Sequence, residues 1–157
     1  MQDDRTLKLT RLIAAPRMAI WRCWTEPELL MQWFCPKPWR VSRAELDLRP
    51  GGRCDITMQG PDGQEQPNPG VYLELDPGRR LVATDAFAPG WRPSAGTPFM
   101  VLELNLSDEA GGTRYEAMAH HWTLEAKAQH EQMGFHEGWG KATDQLEALV
   151  ATLRSRA

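Results

Sequence analysis

The sequence predicts an α+β fold in which a curved antiparallel sheet wraps around a long C-terminal helix. Three observations predict it. Alternation of apolar and polar residues dominates the region from Ser42 to His121, which is the period of half-buried strands. Pro/Gly-rich turns punctuate that region at short intervals, as antiparallel hairpins require. From Glu125 to Arg154 the apolar positions Met133, Trp139, Leu146, Leu149, Val150 and Leu153 recur mostly at three, four and seven, the spacing of one helix face.

The elements follow in order. Leu7, Leu9 and Arg11 alternate with Lys8, Thr10 and Leu12, giving a short first strand that ends before Pro16. Pro16 opens a helix through Met18, Trp21 and Trp24, and Pro27 opens a second through Leu29, Leu30, Trp33 and Phe34. Thr25 and Glu28 have capping-box spacing at that second start. Pro36 and Pro38 then stop helical structure. Ser42 to Arg49 and Cys54 to Met58 form a hairpin across Pro50, Gly51 and Gly52, and the segment GVYLELDPGRRLVATDAF reads as two strands joined at Asp76, Pro77 and Gly78. Ala88 to Thr97 (APGWRPSAGT) reads as an irregular loop. Met100 to Leu106 and Arg114 to His121 form the last hairpin, and Gly134 marks a break within the C-terminal helical region. No repeat or linker divides the chain, so residues 1–157 are expected to form a single domain.

Composition narrows the function classes. Of 157 residues, 41% are hydrophobic and 25% charged, ordinary values for a globular domain long enough to enclose a cavity. The net charge of -3 and the scattered basic residues leave no phosphate-tracking stripe, so a nucleic-acid partner is not expected. Cys23, Cys35 and Cys54 fit neither a disulfide framework nor a paired zinc motif and read as reduced thiols of a cytoplasmic protein. No apolar run approaches the ~20 residues that span a bilayer, and MQDDRTLKLT lacks the apolar stretch of a signal peptide, so neither membrane insertion nor processing is expected. Seven tryptophans is the unusual figure, because large aromatics often line ligand pockets.

Four stretches, AAPRMAIWRCWTEPELLMQWF, LDLRPGGRCDITMQGPDG, GVYLELDPGRRLVATDAF and HEQMGFHEGWGKATDQLEALV, resemble, in the same order, the START/polyketide-cyclase (SRPBCC) superfamily and its branch named after the activator of the heat-shock-protein-90 ATPase. The resemblance covers nearly the whole chain. It implies the helix-grip fold and a cavity between sheet and C-terminal helix, with no shared catalytic set to carry over and with binding partners that differ between members. In that setting Gly51 and Gly52 serve a tight reversal, and Gly138 lets the helix lie close to the sheet beside Trp139.

If the Leu102 face of its strand looks at the helix, the hairpin partner presents Tyr115, Ala117, Ala119 and His121 to the same side. Ala117 and Ala119 then either leave room for a ligand or admit Trp139 or Leu146. Trp39, Met58, Phe87 and Trp91 are candidates for the remaining apolar wall, with Met133 on the helix side. His121 and His136 are the candidate polar groups, able to hydrogen-bond a ligand or act as a general base. His120 is expected to point away from His121, which disfavours a metal held by the pair. HEQMGFH is not an HExxH site, since Gly134 stands where the second histidine would be, and no serine sits in a GxSxG setting. No catalytic residue, metal or cofactor is assigned.

The expected function is therefore binding of a small, mainly hydrophobic or aromatic molecule. The alternatives are a cyclase- or dehydratase-type enzyme using a pocket histidine, and a chaperone-ATPase partner of the kind the branch is named for. The sequence identifies no interface for a homodimer.

Overall fold

The computed structural model describes residues 4–155. Strand β1 (Thr6–Ile13) leads into helices α1 (Arg17–Thr25) and α2 (Pro27–Leu30), after which come β2 (Arg40–Leu46), β3 (Cys54–Gln59), β4 (Glu65–Asn68), β5 (Val71–Asp76) and β6 (Arg80–Thr84). A miniature hairpin, β7 (Phe87–Ala88) and β8 (Arg92–Pro93), precedes the long hairpin β9 (Val101–Glu109) and β10 (Gly112–His120). Helices α3 (Leu124–Gln132) and α4 (Phe135–Ser155) end the chain. Five strands pair antiparallel in the order β1-β10-β9-β6-β5, and three more in the order β2-β3-β4. The Arg53–Val71 bridge and the mutual backbone bonds of Gly51, Gly52 and Tyr72 join the two sheets into one curved surface around α4. This is the helix-grip architecture.

The register carries the inward face across the sheet. Tyr115 pairs with Leu106, Ala117 with Leu104 and Ala119 with Leu102, so these side chains share the side that meets α4. Leu104, Leu146 and Val150 are fully buried there, with Ile20, Trp21 and Trp24 of α1 closing the core from the far end. On the other face Arg80, Glu103, Asn105 and His120 form a polar ladder.

Several local expectations change. Thr25 does not cap α2: its hydroxyl donates back to the Trp21 carbonyl at 2.8 Å, the i−4 back-bond open to a threonine in the last turn of α1. Strand β4 lies where the sequence shows only polar residues. Its side chains are all exposed, as an edge strand with Pro67 permits, so it carries no alternating signal. The loop expected at 88–97 holds the β7–β8 hairpin. The helical break falls at Gly134, whose φ of +97° suits only glycine without strain.

Candidate functional site

Between α4 and the inner face of the sheet lies a cavity of about 390 Å³. That volume is within the range that accommodates small organic ligands. Its walls come from every layer. Helix α1 contributes Trp24, the α2–β2 connection Trp33, Phe34 and Trp39, and β3 Met58. Leu102, Tyr115 and Ala117 come from β9 and β10, His130 from α3, and Gly138, Trp139 and Thr143 from α4.

The aromatic wall is held by edge-to-face packing. Trp24 meets Trp33 at 5.0 Å and Phe34 at 5.7 Å between ring centroids. The Trp33 indole donates to the Cys23 carbonyl at 2.9 Å, and Gln145 of α4 clamps the same segment by donating to the Trp33 and Cys35 carbonyls. Opposite, Asp85 accepts the backbone N–H groups of Phe99 and Met100, which places the Phe99 ring 4.7 Å from His130.

Among the described residues no Asp, Glu, Lys or Arg lines the cavity. Gln66 and Asn68 of the exposed strand β4 are polar groups at its rim, and the buried polar groups are few. Burial pushes the Tyr115 phenol well above its ordinary pKa, partly offset by the neighbouring Trp24 and Thr143 side chains, so it stays a neutral hydroxyl. The Trp24 approach is too loose for a hydrogen bond, and the indole N–H of this 5% exposed residue is left without a partner.

His130 is the second polar station. Thr123 caps α3 by accepting the Ala126 N–H at 3.0 Å, and two turns later the helix delivers His130 to the cavity. Its Nδ1 lies 2.9 Å from Nε2 of His121, whose Nδ1 lies 2.9 Å from the Arg5 carbonyl. A carbonyl only accepts, so His121 Nδ1 carries a proton. In a neutral ring Nε2 then accepts, the donor is His130 Nδ1–H, and the lone pair of His130 is on Nε2. Burial, followed by the proximity of His121, pushes the pKa of His130 down to about 4, keeping the imidazole uncharged at neutral pH.

Trp39, Met58, Ala117 and Met133 thus line the cavity, Ala117 at its buried inner wall and Met133 at the exposed rim. The other five candidates lie elsewhere. Ala119 is fully buried against Leu7 and Phe135, so its small volume is occupied by protein. Phe87 and Trp91 meet edge-to-face at 5.8 Å, and Trp91, in the β7–β8 hairpin, folds outward over Gly51. His121 is 4% exposed and reaches the cavity only through His130. His136 is exposed and paired with Glu131 at 3.0 Å, since the restart of the helix after Gly134 rotates it away. His120 points to the outer face, as its strand position predicts, and bonds Glu103. Gly138 does not bring α4 against the sheet, because a Cβ there would meet nothing within 4 Å; it adds open space to the cavity.

Sequence reasoning missed His130, Trp24, Trp33 and Phe99 as lining residues. The helix bearing His130, LEAKAQHEQ, has no apolar stripe to reveal an inward face. Of the four indoles in the lining, Trp24, Trp33, Trp39 and Trp139, only Trp39 is singled out as wall by the sequence; the other three are signalled as wall by the tryptophan count alone.

A family model described as Activator of Hsp90 ATPase homolog 1-like protein matches residues 14–151. Among solved structures, a Nitrosomonas europaea protein is 42% identical, with 99% of each chain covered and a TM-score of 0.94. A Mycobacterium smegmatis protein is 29% identical over 94% of this chain and 91% of its own, with a TM-score of 0.79. A protein from Rhodobacter sphaeroides, 22% identical over 98% and 97%, shares the fold at a TM-score of 0.84. No functionally curated protein matches the chain.

Proposed function

The chain belongs to the family of Activator of Hsp90 ATPase homolog 1-like proteins, and on that scaffold we propose that it binds a small, uncharged, mainly aromatic molecule in the cavity between sheet and C-terminal helix. The observation that carries this reading is the lining itself: a volume of about 390 Å³ walled by four indoles and containing no ionic side chain. A charged ligand would lose its hydration there without a counter-ion, which is costly. An aromatic one gains both area burial and edge-to-face contacts. Trp39, Met58, Ala117 and Met133 contribute wall, and His130 contributes a polar contact.

Isothermal titration calorimetry with 2-naphthol tests this. Saturable one-to-one binding is expected, weakened at least tenfold in Ala117→Leu, whose side chain would occupy the inner wall. Absence of saturable heat with 2-naphthol and with the other neutral bicyclic probes named below would overturn the proposal.

A second reading is favoured by the His121–His130 pair, which has the form of a base held in one tautomer by an orienting neighbour. In that reading the protein is a cyclase- or dehydratase-type enzyme in which His130 Nε2 removes a proton from the bound molecule. Turnover of a bound ligand that is abolished in His130→Gln while affinity is retained would support it. Binding without turnover leaves the binding reading alone. A chaperone-partner role, suggested by the family's name, gains no support from the cavity.

A further inference from the structure

Two groups in the cavity are hydrogen-bonding atoms without protein partners, and they are of opposite kind. The Trp24 indole N–H is a donor that no described residue accepts. Such orphaned donors are rare in native interiors, so this one is a direct indication of something the site is built to receive. It lies in an inner corner with the hydroxyls of Tyr115 and Thr143. The Thr143 proton is committed to the Trp139 carbonyl at 2.7 Å, so the Thr143 and Tyr115 hydroxyl oxygens could accept from the indole N–H, but neither is placed to make that hydrogen bond. At the second station His130 Nδ1 is used by His121, and Nε2 has no hydrogen-bond partner among the described residues. Its lone pair is open to a donor in the cavity. Thr143 and Trp139, which flank the two stations, are four residues apart on α4, ~6 Å of rise, so the stations lie at different heights along the helix.

Resting on the binding reading above, we propose that the ligand is a neutral ring compound with two polar ends: an oxygen that accepts from Trp24 Nε1–H in the inner corner, and a hydroxyl that donates to His130 Nε2. Hydroxyl-bearing aromatics and hydroxyaryl carbonyl compounds have this chemistry. Plain hydrocarbons satisfy neither station, and carboxylates bring a charge for which the cavity has no counter-ion.

Calorimetry with four matched probes, naphthalene, 2-naphthol, 2,6-dihydroxynaphthalene and 2-naphthoate, distinguishes these classes. Affinity should rise by about threefold to tenfold with each hydroxyl added, the value of one well-made hydrogen bond, and 2-naphthoate should bind most weakly. Trp24→Phe should remove one such increment for 2,6-dihydroxynaphthalene and leave naphthalene unchanged, and His130→Phe should remove the other. The His130→Phe arm stands by itself if Trp24→Phe fails to fold. Equal affinity for naphthalene and 2,6-dihydroxynaphthalene would overturn the two-ended proposal while sparing the binding reading. Equal loss of both probes in both variants would do the same, since it would mark Trp24 and His130 as wall only. No binding of any probe would overturn both.

Discussion

The two faces of the β9–β10 hairpin solve opposite problems with neighbouring residues. His120 and His121 are consecutive, yet His120 sits in a ladder with Glu103 and Thr6 that touches solvent, whereas His121 is buried and bonded to His130 behind the cavity. On the outer face burial alone would raise the Glu103 carboxyl, but hydrogen bonds from Asn105, His120 and Arg80 outweigh it and hold it below its ordinary range. Around His130 no carboxylate among the described residues opposes burial, so the imidazole is driven to its neutral form. The difference shows that the inner face is electrostatically silent by construction, and that silence restricts what the cavity can hold.

The comparison can be broken most severely by cutting into the inner face. Leu104→Ala removes a fully buried side chain and should cost about 2–5 kcal/mol in denaturant unfolding. Its neighbour Glu103→Gln, on the outer face, should cost only about 1 kcal/mol, because its partners remain within reach of water. Equal costs would mean that the two faces are not distinct.

Acid separates the faces next. His130 has a folded-state pKa of about 4 against 6.5 ordinarily, so as pH falls below 6.5 the unfolded chain takes up a proton that the native state refuses. Stability should fall across pH 6.5 to 4, by at most about 3 kcal/mol, and level off below. Glu103 is depressed instead, so its contribution is present above 4.5 and is lost only at lower pH. Unfolding midpoints of wild type and His130→Gln between pH 7 and 4 should diverge in the upper window. Parallel curves there would refute the neutral, buried His130.

A smaller effect is expected at Gly138, where a helix residue faces open space. Gly138→Ala should raise stability by about 0.5–1 kcal/mol while weakening 2-naphthol binding, since the methyl group enters the cavity. The smallest effect belongs to the outer rim. Lys8→Ala breaks the pair with Glu116 and should change stability by less than about 1 kcal/mol, a change that vanishes at high salt.

These expectations also show what a sequence can carry. Strand alternation from Met100 to His121 predicts the inward face correctly, because a half-buried strand must alternate and a register error would expose Leu104 and Leu106. Ala117 is legible for the same reason. Trp91 and His136 are not, because their directions depend on a hairpin with strands of only two residues and on the rotation introduced at Gly134, neither of which has a period. His130 is hidden by a polar helix whose one buried side chain reaches inward. The unpartnered Trp24 N–H has no sequence signature at all, since satisfaction of a donor is a property of tertiary geometry.

The central claim is that the indole-walled space beside α4 is the binding site. Following the seven indole N–H signals by two-dimensional ¹H–¹⁵N NMR during titration with 2-naphthol tests it most directly. Saturable shifts confined to Trp24, Trp33, Trp39 and Trp139 are expected, with Trp91 and Trp122 on the exterior unmoved. Shifts at Trp91 or Trp122 with the four cavity indoles unchanged would contradict it.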